Sequence, residues 1–149
     1  MAALSAITVR ELVREADIAS ACELMRLLRP HLRPETFTAT VALQREQGYR
    51  LYAGYNPGLV CLAGVREART LARGEHLFVD DLVTADGLRG QGAGTAMLRW
   101  LAQLAAGKHL PRIYLDSRDS AIGFYRKCGF TFLTSVPCWI EVEGLLGRY

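Results

Sequence analysis

The sequence predicts an α/β fold in which a single domain, residues 1–149, is built on a mixed sheet. Strand-like and helix-like segments follow one another in the order β-α-α-β-β-β-α-β-α-β. A chain of 149 residues can bury a real core but has little spare length for a second module. One helical segment separates two late strands, and a crossover of that length permits those strands to be parallel neighbours.

The first third of the chain predicts one strand and two helices. Alternating β-branched residues predict the strand over residues 7–12. A helix that ends at Pro30 is expected next, because apolar residues recur there at three- and four-residue spacing: Ile18, Cys22, Met25 and Leu28. A second helix is expected from Pro34 to Gln47, with Gly48 as its stop.

The middle of the chain predicts a hairpin, a strand and a longer helix. Two apolar strands flank residues 56–58, "NPG", where Pro and Gly favour a turn. The segment "HLFVDDLVTAD" predicts a strand from Leu77 to Thr84. The helix is expected from Gly94 to Ala106, and its buried face is predicted from helical spacing: Met97, Leu98, Leu101 and Leu104 or Ala105.

The last third of the chain predicts another strand, a short helix and a strand-rich tail. The segment "RIYLDS" predicts the strand, and "SAIGFYRKCGF" predicts a short helix that Gly129 ends. The tail "FTFLTSVPCWIEVEG" predicts one or two further strands.

Composition and charge exclude several functional classes. Half of the residues are hydrophobic and 22% are charged, which argues against disorder. The formal net charge is +3 and the basic residues are scattered, whereas dedicated nucleic-acid binders are more basic and more clustered. A small anionic ligand remains compatible with this charge, because a few local positive groups are enough to bind one.

Cysteine and histidine usage argues against zinc, and the chain shows no export or membrane segment. The cysteines are far apart and form no CxxC pair, and no histidines adjoin them. Reduced thiols in the cytoplasm are therefore expected. The N-terminal segment lacks the pattern of a signal peptide, and no run approaches 18 uninterrupted apolar residues. We expect a soluble cytoplasmic protein with neither a membrane nor a nucleic acid as partner.

A glycine loop at the start of the longer helix is typical of an anion-binding site. Residues 88–101, "LRGQGAGTAMLRWL", place Gly90, Gly92 and Gly94 directly before the helical pattern. Unpaired amides at a helix N-terminus attract anions, and glycine lets a phosphate approach the backbone. A Walker A loop is excluded because no Gly-Lys-Ser/Thr ending is present. The dinucleotide fingerprint G-x-G-x-x-G also fails, because its third glycine is missing in both registers.

Three segments resemble the GNAT superfamily of N-acetyltransferases. Arg89 to Gly94, "RGQGAG", fits the family's Q/R-x-x-G-x-G/A loop for the coenzyme A pyrophosphate. The segment "VDDLVTADGLRG" is similar to the family's preceding strand, and "AIGFYRKCGF" matches its A-x-x-F-Y-x-K-x-G-F helix end. The resemblance implies one GNAT-like domain over residues 1–149, with helices on both faces of a mixed central sheet and a splayed parallel strand pair. It also implies acetyl-CoA as the acetyl donor and no metal.

The resemblance implies direct acetyl transfer to a primary amine of a small molecule or peptide, without an acetyl-enzyme intermediate. In the family a carboxylate in this strand deprotonates the amine, often through water, which points to Asp80 or Asp81. Adjacent strand residues face opposite sides unless a bulge intervenes, and we prefer Asp80 as the base and Asp81 as its structural neighbour. Tyr125 holds the family's tyrosine position, and its phenol, with an ordinary pKa of about 10, is the expected acid for the departing thiolate.

The same resemblance implies which residues hold acetyl-CoA. The strand amides contact the pantetheine, the glycine loop and helix start take the pyrophosphate, and the short helix reaches the cofactor from the other side. The family often has Asn where this chain has Arg118, which weakens the expectation at that position. The expected set is Leu82, Val83, Thr84, Arg89, Gly90, Gln91, Gly92, Ala93, Gly94, Thr95, Arg118, Ser120, Phe124 and Lys127.

Two alternatives stay open beside the enzyme. A non-catalytic acyl-CoA-binding sensor or regulatory module would use the same scaffold, and a nucleotide-phosphate binder would use the same glycine loop. The sequence does not identify the amine acceptor, and it is compatible with a homodimer without predicting one.

Overall fold

The computed structural model describes residues 6–147, which fall into two compact units. The first unit ends at Asp116 and the second begins at Ser117. A single five-stranded sheet lies in the first unit, in the order β1-β2-β3-β4-β5. Antiparallel and parallel pairs both occur in it, so the predicted mixed α/β fold is confirmed.

The helices and strands follow closely the order that the sequence predicts up to the second unit. The first unit contains β1 (Thr8–Glu11), α1 (Glu15–Ser20), α2 (Cys22–Leu28), α3 (Pro34–Glu46), β2 (Tyr49–Tyr55), β3 (Leu59–Thr70), β4 (Gly74–Thr84), α4 (Ala93–Gly107) and β5 (Ile113–Leu115). The second unit contains a 3-10 turn (Asp119–Ala121), α5 (Ile122–Lys127) and α6 (Val142–Leu146).

The parallel pair of strands is short, and β4 extends beyond it. β1 to β4 form a continuous antiparallel meander, and α4 is the crossover to β5. β5 pairs with β4 only over Leu77–Val79, although β4 continues to Thr84. The remaining residues of β4 therefore keep β3 on one side and have no strand partner on the other within the described chain.

Helices cover both faces of the sheet. α1, α2 and α3 pack on one face, where Ile18, Met25 and Phe37 join Leu51 and Leu62 of the sheet in one buried cluster. On the other face α4 packs against β2 and β3. There the rings of Tyr52 and Trp100 lie 4.8 Å apart, and the Cys61 thiol lies 3.9 Å from the Ala93 carbonyl. This agrees with the expected two-sided arrangement.

The first helix of the sequence prediction is two helices in the structure. α1 ends at Ser20 and α2 begins at Cys22, although the apolar spacing continues across the junction. The Ser20 hydroxyl donates to the Asp17 carbonyl at 2.6 Å, and the Ala21 amide bonds to Ile18 only three residues back. A polar side chain that competes for helical carbonyls and a tighter turn explain the break.

The predicted strands of the tail are wrong. Residues 130–141 contain no strand, and the five-residue helix α6 follows them. Pro137 lies in the middle of the alternating pattern and supplies no amide for a ladder. Large apolar residues there are exposed, including Val136 at 81% and Trp139 at 85%. The alternating apolar residues therefore do not form the buried face of a strand.

Candidate functional site

A β-bulge places Asp80 and Asp81 on the same face of the sheet. The register between β3 and β4 shifts between Gly64 and Val65, so Asp80 has no partner on β3. Asp81 lies opposite Gly64, and the Asp80 carboxylate is bonded to Arg66, two residues along the same face of β3. Because of the bulge, the two carboxylates do not alternate as neighbours on a regular strand would.

The Asp80 carboxylate is held by one arginine. Arg66 donates to both of its oxygens, from Nε at 2.6 Å and from Nη2 at 2.8 Å. This hydrogen-bonded pairing raises the pKa of the Arg66 guanidinium. The Asp80 side chain is 25% exposed, and a carboxylate has about four lone-pair sites, so it can still accept a proton or a water.

The Asp81 carboxylate is more enclosed and has both oxygens engaged. Arg29 Nε donates to Oδ1 at 3.0 Å, and the Tyr49 hydroxyl donates to Oδ2 at 2.7 Å. Its side chain is 13% exposed. Burial, followed by the negative charge of Asp81, raises the pKa of Tyr49, so that phenol remains a donor. Arg29 also donates from Nη2 to the Asp80 carbonyl at 2.8 Å.

The end of β4 provides an open backbone edge. Leu82 and Thr84 are half-buried, and Val83 lies in the core between the sheet and α1–α3. These residues pair with β3, but the parallel contact with β5 stops at Val79. Amides on that open edge can bond to an extended ligand as they would to a strand.

The glycine loop after β4 leads into α4 with its first amides unpaired. Gly90 and Gly92 have φ angles of 80° and 92°, in the left-handed region that favours glycine. Gly92 is the N-cap of α4, and the first intrahelical bond runs from the Ala96 amide to its carbonyl at 2.9 Å. Within residues 6–147 the amides 92–95, which include those of Ala93, Gly94 and Thr95, have no protein acceptor.

Two longer side chains flank this loop. The exposed Arg89 side chain lies 3.7 Å from the Asp86 carboxylate, and Gln91 Nε2 donates to the Gly87 carbonyl at 3.2 Å. A Cβ added at Gly90 would meet no atom within 4 Å. The loop therefore presents backbone and polar side chains to open space.

The short helix of the second unit holds Tyr125 in an aromatic group. The rings of Phe124 and Phe130 lie 5.0 Å and 5.3 Å from the buried Tyr125 ring. Burial, and then Cys128, raises the pKa of the Tyr125 phenol, so it is protonated at neutral pH. The other predicted residues of this unit, Arg118, Ser120 and Lys127, are exposed.

Sequence reasoning missed the three partners of the carboxylates. Arg29, Tyr49 and Arg66 lie 14 to 52 residues from the aspartates along the chain, and no local pattern connects them. One signal was present at Gly64, since an isolated glycine in an apolar strand often marks a bulge or a close approach. Both occur there, because a Cβ on Gly64 would lie 1.8 Å from the Tyr49 hydroxyl oxygen.

The described part of the chain forms neither a metal-ligand cluster nor a membrane-spanning helix. No three His, Cys, Asp or Glu side chains in it come together as metal ligands. No helix between residues 6 and 147 combines the length and apolar character needed to cross a bilayer.

Comparisons with known proteins agree with the resemblance of the glycine loop. The model of the acetyltransferase (GNAT) family matches residues 16–130. The uncharacterised N-acetyltransferase YhdJ of Bacillus subtilis (strain 168) is 31% identical over 131 residues, which cover 84% of this chain and 92% of YhdJ.

Solved structures show the same fold. A Trypanosoma brucei acetyltransferase is 25% identical with a TM-score of 0.70, over 91% of this chain and 99% of that one. A predicted acetyltransferase from Clostridium acetobutylicum, solved with acetyl-CoA, is 17% identical with a TM-score of 0.69, over 96% and 99%. Since the family match extends over most of the sequence, this chain belongs to the GNAT family of acetyltransferases.

Proposed function

We propose that this chain is an acetyl-CoA-dependent N-acetyltransferase that moves the acetyl group directly to a primary amine of a small molecule or peptide. One observation carries the proposal: an open strand edge at the end of β4 leads into a glycine loop and a helix start whose amides have no protein acceptor among residues 6–147. Family membership supports acetyl-CoA as the donor. We treat residues 1–149 as one functional domain.

The loop and the strand edge take different parts of acetyl-CoA in this proposal. The pyrophosphate sits on the backbone of residues 90–95, where the helix dipole favours negative charge, with Arg89 and Gln91 beside it. The pantetheine runs along residues 82–84 as an added strand. The resemblance to the family also assigns Arg118, Ser120, Phe124 and Lys127 to the cofactor. A neighbour from Clostridium acetobutylicum with the same fold was solved with acetyl-CoA, which supports acetyl-CoA as a ligand of this fold.

Asp80 is the proposed base. The amine nitrogen attacks the thioester carbonyl carbon, the carbonyl oxygen becomes an oxyanion near the β4 amides, and the amine proton passes to Asp80, directly or through water. Asp80 is preferred to Asp81 because its side chain is about twice as exposed and because neither of its oxygens is occupied by a tyrosine. Collapse of the intermediate breaks the C–S bond and expels the thiolate of coenzyme A.

Tyr125 is the proposed donor of a proton to that thiolate. Its raised pKa keeps the phenol protonated at neutral pH, and its place in the "AIGFYRKCGF" helix matches the family's tyrosine position. After product release Asp80 loses its proton to solvent, and solvent returns a proton to the Tyr125 phenolate.

A screen for binding and thiol release tests the proposal. Acetyl-CoA should raise the melting temperature of the full chain more than ATP or NAD does, and at least one amine among polyamines, amino acids, aminoglycosides and peptides should release coenzyme A. Mass spectrometry should find the acceptor about 42 Da heavier, the mass that replacing H by acetyl adds. The enzyme incubated with acetyl-CoA alone should keep its mass, because direct transfer forms no acetyl-enzyme.

The variant Tyr125→Phe separates the enzyme from its alternatives. Turnover should fall while stabilisation by acetyl-CoA is retained, since the ring is kept and only the hydroxyl is lost. Binding of acetyl-CoA by the wild type without turnover on any amine would favour the sensor. Stronger protection by ATP or NAD than by acetyl-CoA would favour a nucleotide-phosphate binder and overturn the proposal.

A further inference from the structure

Three elements of the first unit meet at the bulge through one cluster, Arg29, Tyr49 and Asp81. Tyr49 comes from the start of β2, Arg29 follows the end of α2, and Asp81 belongs to β4. Each Asp81 oxygen has its own donor, at 2.7 Å from the Tyr49 hydroxyl and at 3.0 Å from Arg29 Nε. The cluster therefore fixes the orientation of the Asp81 side chain.

Arg29 connects this cluster to the backbone of the bulged residue. Its Nη2 donates to the Asp80 carbonyl at 2.8 Å, while its Nε holds Asp81. One planar guanidinium thus spans two consecutive residues of β4 at the place where the ladder with β3 is interrupted. An unpaired bulge residue has no ladder bond to set its direction, so this contact replaces the missing constraint.

Tyr49 reaches Asp81 only because β3 has no side chain at the crossing point. A Cβ on Gly64 would lie 1.8 Å from the Tyr49 hydroxyl oxygen and 2.3 Å from its Cζ. Gly64 is also the residue that pairs with Asp81 and after which the register shifts. The glycine, the tyrosine and the bulge therefore form one arrangement.

We propose that Tyr49 and Arg29 are positioning residues that hold the bulged Asp80 in place, through Asp81 and through the Asp80 carbonyl. This inference rests on the proposed function, in which Asp80 accepts the amine proton. Neither residue needs to touch the substrate. Their effect is on turnover, because a misplacement of the base by about 1 Å costs on the order of a hundredfold in rate.

Two variants of the full chain test the inference. Tyr49→Phe keeps the ring over Gly64 and removes only the hydroxyl, and Arg29→Met removes both contacts of the guanidinium. Each should lower kcat about ten- to a hundredfold while KM for acetyl-CoA stays within about twofold. The kcat of the double variant should be only slightly lower than that of the more impaired single variant, because both substitutions act on Asp80 and Asp81.

Matched controls come from the same elements. Tyr52→Phe alters a buried tyrosine of β2 that faces α4 and packs on Trp100, and Arg26→Met alters an arginine of α2 whose ion pair with Glu23 spans 3.7 Å. Both controls should keep kcat. A merely structural role would lower the melting temperature of Tyr49→Phe and Arg29→Met without changing kcat per folded molecule, and that result would overturn the inference.

Crystal structures of the wild type, Tyr49→Phe and Tyr52→Phe separate this inference from the proposed function. In Tyr49→Phe the Asp80 carboxylate should shift by about 1 Å relative to Arg66, and in Tyr52→Phe it should not. A wild type that turns over no amine, combined with this shift, would overturn the proposed function and leave the positioning intact. An active wild type, with kcat unchanged in both test variants and Asp80 unshifted in Tyr49→Phe, would overturn the positioning alone.

Discussion

The two faces of the sheet are covered by helices in different ways. Toward α4 the contacts are apolar and close: a Cβ on Gly54 would lie 2.6 Å from the Cys61 sulfur, and burial raises the pKa of that thiol to about 11. Toward α1–α3 the apolar core is interrupted at the bulge, where Asp80 and Asp81 each pair with an arginine. A buried charge lowers stability unless it is paired. We therefore expect catalysis on the face that retains the two paired carboxylates.

Substitution of a core residue on the α4 face should lower the stability of the protein and leave its turnover unchanged. This loss of stability is the largest of the expected effects. Leu101 is fully buried there, and Leu101→Ala should lower the free energy of unfolding by about 2–5 kcal/mol through lost burial and a cavity. Urea unfolding measures this loss. Under conditions where the variant is folded, kcat should equal that of the wild type. A reduced kcat with unchanged stability would contradict the view that the α4 face supports stability and the opposite face supports turnover.

Gly64→Ala should affect both stability and turnover, since it crowds the bulge on the opposite face. The new methyl group would displace the Tyr49 ring, and such overpacking costs about 1–3 kcal/mol. Turnover per folded molecule should also fall, because Tyr49 would lose Asp81. Gly58→Ala, in the β2–β3 turn with nothing within 4 Å of the new Cβ, is the control in both assays. A kcat of Gly64→Ala equal to that of the wild type would argue against a role of the bulge on the α1–α3 face in turnover.

Gly90→Ala tests the loop after β4 without changing either face. Its φ of 80° makes alanine strained by about 1–2 kcal/mol, although the space around the new Cβ is open. Gly74→Ala, at a φ of 67° in the first residue of β4 and equally open, should cost similar stability. Only Gly90→Ala should weaken the stabilisation by acetyl-CoA in a thermal shift assay. Equal loss of that stabilisation in both variants would remove the loop from the proposed site.

The smallest expected effect is a change in alkaline stability. Burial and Asp81 raise the pKa of Tyr49 above its ordinary 10.0. A raised pKa contributes stability that is present below the unfolded value and is lost as the pH rises above it, from about pH 10. The free energy of unfolding should therefore fall more steeply above that pH in the wild type than in Tyr49→Phe. Parallel pH profiles would show that Tyr49 is not held as a protonated donor.

Local signals predicted the elements that depend on local backbone chemistry. The helix after the glycine loop is predicted from Gly94 and begins at Ala93, because the chemistry of a helix end is determined by a few neighbouring residues. The parallel pairing of β4 and β5 followed from the length of the crossover between them. These features could be predicted without any knowledge of distant contacts.

Features that depend on distant partners could not be predicted. The tail after Gly129 has an alternating pattern, but a strand needs a neighbour and a buried face, and residues 130–141 have neither. The break at Ala21 is local, but it depends on a hydroxyl that competes for a carbonyl, which apolar spacing does not reveal. The arginine partners of Asp80 and Asp81 come from α2 and β3, far along the chain.

Hydrogen exchange at the start of α4 tests the central claim most directly. Amides of residues 92–95, which have no protein acceptor within residues 6–147, should become protected when coenzyme A is added, because the pyrophosphate binds to them. They should remain unprotected with pantetheine, which lacks the pyrophosphate. The amide of Gly74, which shares the left-handed backbone but is the first residue of β4, serves as the internal control. Unchanged exchange at residues 92–95 with saturating coenzyme A would contradict the assignment of this loop as the cofactor site.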